Sequence, residues 1–85
     1  MSDDALVLAR MHEQLAEGLV GAVVTVSGGG GRYQVAAVSA DFAGLSAVKR
    51  QQAVYRCIND LIRAGTVHAV SIQAKTPEEA GADGS

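Results

Sequence analysis

Ala22-Val23-Val24-Thr25-Val26-Ser27, then four glycines from Gly28 to Gly31, then Arg32-Tyr33-Gln34-Val35-Ala36-Ala37-Val38-Ser39: this stretch decides the fold. Two runs rich in β-branched and apolar residues, parted by a glycine tract, predict two antiparallel strands joined as a hairpin with a flexible tip. The tract lacks the Lys-Ser/Thr pair that a phosphate-binding loop needs, so its glycines are read as turn residues.

Helices flank the hairpin. On its N-terminal side Ala5, Leu8, Met11, Leu15 and Leu19 recur at helical spacing, and Ser2, Asp3 and Asp4 supply an N-cap and favourable first-turn charge. Gly18 and Gly21 close that helix. On the other side, after a short turn at Asp41-Phe42-Ala43-Gly44, a longer helix is predicted from about Ser46 to Ala64. Leu45, Val48, Val54, Tyr55, Ile58, Leu61 and Ile62 mark its apolar face, and Gly65 caps it. Val67-His68-Ala69-Val70-Ser71-Ile72 opens a third strand that runs to Ala74 and stops at Thr76-Pro77. The order is α-β-β-α-β. Strands two and three are joined by a helical crossover, which favours parallel, right-handed pairing. The fold class is therefore α+β: a three-stranded mixed sheet with the helices packed on one face. A single domain is expected over residues 1–79, with residues 80–85 (Ala-Gly-Ala-Asp-Gly-Ser) as a disordered tail.

Eighty-five residues allow one domain, near the lower limit for a self-sufficient core. Only 4% of the residues are aromatic, so that core is thin and would gain from a partner or from homodimer formation. The single cysteine, Cys57, excludes an internal disulfide and suits a reducing compartment. No apolar run is long enough to span a bilayer and the first residues are acidic, so a soluble, cytoplasmic protein is expected, with no membrane partner.

The chemistry-bearing residues are few. No nucleophile elbow, paired-cysteine motif or His-Glu-x-x-His occurs, which argues against an enzyme. The net charge of −2 hides a basic middle, with six cations against two acidic groups between residues 18 and 76. Lys49, Arg56 and Arg63 fall seven residues apart, nearly two helical turns, with Arg50 beside the first. This stripe is a solvated face or, alternatively, a nucleic-acid surface. Cys57 is read as a small hydrophobe and His12 as an exposed helix residue. His68 shares strand parity with Val70 and Ile72, which on physical grounds alone predicts a half-buried, satisfied side chain; at a strand end, its neutral imidazole could ligate iron, zinc or copper.

Three blocks in order, Phe42-Ala43-Gly44-Leu45-Ser46, Val48-Lys49-Arg50-Gln51-Gln52-x-Val54-Tyr55, and His68-Ala69-Val70-Ser71-Ile72-x-Ala74-x-Thr76-Pro77-Glu78-Glu79, resemble the BolA family. The second block, with Val24-Thr25-Val26-Ser27-Gly28, is most similar in form to its IbaG branch. The resemblance implies a fold like the type II KH domain. It also implies a partnership with a monothiol glutaredoxin, sharing a [2Fe-2S] cluster in iron-sulfur trafficking or iron sensing. Glutaredoxin and glutathione would supply thiolates, and this chain the histidine at position 68. Some family members are instead DNA-binding transcriptional regulators of stress response and cell morphology, a role that here would fall to Lys49, Arg50, Arg56 and Arg63.

One departure matters. In the IbaG form a second ligand, His or Cys, falls at the position of Arg32, whose protonated guanidinium has no lone pair to offer iron. Tyr33 could ligate ferric iron in principle but reads as a packed strand residue. Arg32 is then expected to neutralise glutathione carboxylates or an acidic partner surface. A metal-free protein-interaction module is the third reading.

Overall fold

A computed structural model describes residues 4–19 and 21–83. Helix α1 (Asp4–Gly18) leads into strands β1 (Val23–Gly29) and β2 (Arg32–Val38). A single 3-10 turn, Ala40–Phe42, precedes α2 (Ala47–Cys57) and α3 (Asn59–Arg63), and β3 (Ala69–Lys75) is followed by α4 (Pro77–Asp83). The proposed capping residues Ser2 and Asp3 lie outside the described residues.

The sheet has the expected mixed topology. Strand β2 is central, antiparallel to β1 and parallel to β3. The hairpin is tighter than the glycine tract suggests. Gly28 and Gly29 belong to the ladder, opposite Tyr33 and Arg32, and only Gly30 and Gly31 turn the chain. Their φ values of 64° and 83° are those of a two-residue hairpin turn whose twist matches the flanking strands, a conformation few residues other than glycine adopt without strain.

Alternation along the strands sorts their two faces. Val24, Tyr33, Val35 and Ala37 are buried beneath the helices and are joined there by Val26, Val70, Ile72 and Ala74. Thr25, Ser27, Gln34, Ser71 and Gln73 point to the other, uncovered face. From α1 come Met11 and Leu15, and from the crossover Phe42, Val54, Ile58 and Val67, all fully or almost fully buried. Fully burying such a side chain contributes about 1.5–3 kcal/mol. Ser39, the one buried polar residue among the described residues, is satisfied. Its hydroxyl accepts from the Asp41 N–H at 3.1 Å, and its own N–H donates to the Lys75 carbonyl at 3.0 Å.

The single helix expected over residues 46–64 is two helices. Ile58 leaves the helical region (φ −113°, ψ 16°), and its N–H reaches back only three residues, to Tyr55. Asn59 and Asp60, poor helix formers, follow directly, while the Ile58 side chain is wholly buried. The break lets α3 bend while that side chain stays in the core. Gly65 (φ 78°) ends α3 as expected: Thr66 N–H donates to Leu61 and Gly65 N–H to Ile62, a Schellman motif.

A further difference lies at the C-terminus. Thr76-Pro77-Glu78-Glu79 stops β3 but also starts α4, which runs to Asp83 through the segment expected to be disordered; residues 84 and 85 lie outside the described residues. The reason is a capping box. Thr76 Oγ1 accepts from the Glu79 N–H at 3.2 Å, and Glu79 Oε1 accepts from the Thr76 N–H at 2.8 Å. Pro77 occupies the first helical position, where its missing N–H is harmless. Arg50 ties this turn to the body by donating to both Glu79 carboxylate oxygens and to the Leu45 and Ala74 carbonyls.

Two outcomes follow. Phe42→Ala should cost about 3–5 kcal/mol, a large share of the roughly 4–13 kcal/mol expected for a chain of this size; urea denaturation measures it. The Arg50 hydrogen bonds, then the Thr76 N–H, hold the Glu79 carboxyl at about 2, below its ordinary 4.5. A depressed carboxyl stabilises the fold above its unfolded value and loses that contribution as pH falls towards its folded one. The stabilisation from Glu79 should therefore be complete above about pH 4.5 and vanish towards pH 2. Thermal melts of Glu79→Gln against the parent chain should differ at neutral pH and converge across that window.

Candidate functional site

The end of the sheet where the hairpin turns is also where β3 begins, and the topology places His68 there. The N–H groups of His68 and Ala69 both donate to the Gly31 carbonyl, at 2.7 and 3.1 Å. Arg32 pairs with Ala69 and Tyr33 with Val70, so Gly31 and His68 stand opposite one another one step beyond the ladder. A Cβ at Gly31 would collide with the His68 ring. The imidazole thus lies on bare glycine backbone. It follows the parity expected for the strand but lies before β3 starts, beyond the cover of the helices, and it is exposed rather than half-buried. Among the described residues no protein group hydrogen-bonds either ring nitrogen, leaving a lone pair free to donate.

Arg32, the other residue singled out at this end, is exposed at the first position of β2 and adjoins Gly31. Tyr33 is a core residue, 3% exposed, as expected for a packed strand position. Its hydroxyl lies 3.5 Å from Asp4 Oδ1, and the same oxygen accepts the Gly30 N–H at 3.2 Å. Sequence reasoning gives Asp4 only a helix-terminus role and misses this contact, because nothing in a helical pattern signals a partner 26 residues away. No group of three or more His, Cys, Asp or Glu side chains that could hold a metal ion gathers among the described residues. His68 therefore belongs to no such group.

Cys57 does not join this site. Its thiol donates to the Ala53 carbonyl at 3.4 Å and packs where a Gly18 side chain would stand. Burial pushes the thiol up, against the opposing effect of Arg56, which favours the protonated form and suits the small-hydrophobe reading. His12 is exposed on α1, as expected.

The basic stripe is dismantled in part. Lys49 and Arg56 line an open groove of about 610 Å3 along α2, with Leu45, Gln52, Tyr55 and Asn59. Arg63 is exposed on α3, past the break at Ile58. Arg50 is not part of an outward stripe: its side chain is 16% exposed and committed to Glu79 and two carbonyls. The register of seven aligns Lys49 and Arg56, but the residue next to Lys49 turns towards β3. No described helix is long and apolar enough to cross a membrane.

Comparison with known proteins agrees with this architecture. Residues 9–79 match the family of BolA-like proteins. The acid stress protein IbaG of Escherichia coli is 50% identical over 56 residues, covering 66% of this chain and 67% of that one. A protein of Acinetobacter guillouiae encoded between rpoN and murA is 46% identical over 71 residues, 79% of this chain and 86% of its own. Among solved structures, mouse BolA1 superposes with a TM-score of 0.79 at 32% identity, covering 93% of this chain and 72% of that one. The BolA domain of SufE1 from Arabidopsis thaliana gives 0.72 at 33% identity, over 86% and 94% of the two chains. The sheet order, the helical crossover and the histidine at the head of β3 thus sit on a shared scaffold, and the chain belongs to the BolA-like family, with a marked likeness to IbaG.

Proposed function

We propose that this protein is a non-enzymatic adaptor that docks a monothiol glutaredoxin and lends His68 as one ligand to a shared [2Fe-2S] cluster, in iron-sulfur trafficking or iron sensing. The observation that carries this reading is the exposed imidazole, packed over Gly31 on a backbone held there by the His68 and Ala69 N–H groups, and free of protein partners at its nitrogens among the described residues. A side chain kept for packing would be covered; one kept for solvation would not need a glycine cleared beneath it.

The donor set fits this role as half of a composite site. His68 supplies one nitrogen, and no group of three or more metal-ligating side chains forms around it among the described residues. Thiolates from the glutaredoxin and glutathione would complete the set. An imidazole in place of a thiolate makes a bound cluster less negative and raises its reduction potential. Arg32 is exposed next to Gly31, and its cation would neutralise glutathione carboxylates or an acidic partner surface reaching the end of the sheet.

A second reading, DNA binding, draws on the α2 groove, where Lys49, Arg56 and a partly exposed Tyr55 stand together. It rests on fewer cations than the sequence suggests, because Arg50 is engaged with Glu79. Nucleic-acid binding through Lys49 and Arg56, with Arg63 farther along on α3, would be weak, and its salt dependence shallower than a full four-cation stripe would give.

The test mixes the full chain with cluster-loaded monothiol glutaredoxin and records visible absorption and circular dichroism. The expected result is a changed spectrum that His68→Ala abolishes while the two proteins still co-elute. Co-elution with an unchanged spectrum would replace this reading with a metal-free interaction module, one that self-associates or docks glutaredoxin alone. A DNA gel shift lost in Lys49→Ala/Arg56→Ala would instead favour the second. In the same titration Arg32→Ala should weaken association and flatten its salt dependence; unchanged affinity rejects the charge role for Arg32.

A further inference from the structure

We propose that Asp4 is a positioning residue for the His68 imidazole, acting across the glycine turn from the first turn of α1. The inference rests on His68 being the functional group, as argued above, and concerns how its ring is held.

The connection runs through four residues. Asp4 Oδ1 accepts the Gly30 N–H at 3.2 Å and lies 3.5 Å from the Tyr33 hydroxyl. Its other oxygen stands 2.6 Å from the point a Gly29 Cβ would occupy, so the carboxylate is seated on the turn and not extended into water. Gly31 comes next in the chain. Its carbonyl receives the His68 and Ala69 N–H groups, and its bare Cα lies against the ring. Register explains why the two ends meet. Tyr33 and Val70 are ladder partners packed with the helix-side core, which puts Gly31 and His68 at the end of the sheet on the side where α1 runs.

The turn needs such a restraint. Gly30 and Gly31 both sit at positive φ, and glycine has more conformational freedom to lose than any other residue. No side chain of the turn itself can limit its motion. A carboxylate near a helix N-terminus is favourable wherever it points; dipole stabilisation alone does not account for a hydrogen bond to Gly30.

The experiment compares Asp4→Ala, Asp4→Asn and Val7→Ala in the full chain. Val7→Ala trims a partly buried α1 side chain that packs against the core, and serves as the control for a merely weakened helix. The first readout is the His68 ring resonances and the Gly30 and Gly31 amide signals of the free protein. Asp4→Ala should shift and broaden them, Asp4→Asn, which keeps an acceptor oxygen, should largely restore them, and Val7→Ala should leave them in place. The second readout is visible circular dichroism with cluster-loaded glutaredoxin, where Asp4→Ala should change the band pattern and Asp4→Asn recover it. Unmoved His68 signals in Asp4→Ala, or an equal response to Val7→Ala, overturn the proposal. Because the ring is read in the free protein, failure of the glutaredoxin reading and failure of this inference are distinct results.

Discussion

The carbonyl oxygen of Gly31 is the point on which this structure turns. A parallel strand cannot find its neighbour through a short hairpin; it returns after a long crossover and needs a fixed place to dock. Here it docks where the N–H groups of His68 and Ala69 converge on one carbonyl, and from there the β2–β3 register runs to Val38 and Lys75. The same two bonds hold the backbone of the residue bearing the free imidazole. Fold and candidate site therefore share one constraint: the register that buries Val70 and Ile72 also leaves His68 one step past the cover of the helices.

Glycine at position 31 meets two demands at once. Its φ of 83° belongs to the hairpin, and its missing side chain leaves space for the His68 ring. A larger residue would both strain the turn and evict the imidazole. A histidine ring packed against such a floor has few positions open to it.

Much of this was legible in the residues. The β-branched runs give β1 and β2, helical spacing gives α1 and most of the crossover, and the crossover predicts the parallel pairing of β3. Gly65 caps as its position suggests, and His68 falls at the strand end. What escaped was contact between polar groups distant in sequence. Periodicity says which face of a helix is apolar, but not that Arg50 turns from the stripe to clamp Glu79, 29 residues on, nor that Asp4 reaches Gly30. The break at Ile58 was hidden because an apolar residue at a core position reads as continuity, whereas the Asn59-Asp60 pair beside it carried the contrary signal. The α4 capping box was visible in Thr76-Pro77-Glu78-Glu79, but the small and flexible residues after it outweighed it.

The charge distribution bears on which partner the site can take. An imidazole is neutral when it binds a metal, so recognition of a partner must come from the groups around it. At the His68 end the flanking cation is Arg32, with the Asp4 carboxylate turned inward to Gly30 and Tyr33. Along α2 the outward cations are Lys49 and Arg56, while Arg50 is neutralised by Glu79. A polyanion needs several unpaired cations in one continuous track, because its affinity comes from displacing counterions along a length of backbone. What the surface offers instead is an exposed imidazole and an exposed Arg32 at the end of the sheet, on alternate faces of the strand ladder, and a separate pair of cations along a helix. Arg32 and His68 both take their places there from the Gly31 backbone, one as its neighbour in the chain and the other through the N–H groups that its carbonyl accepts.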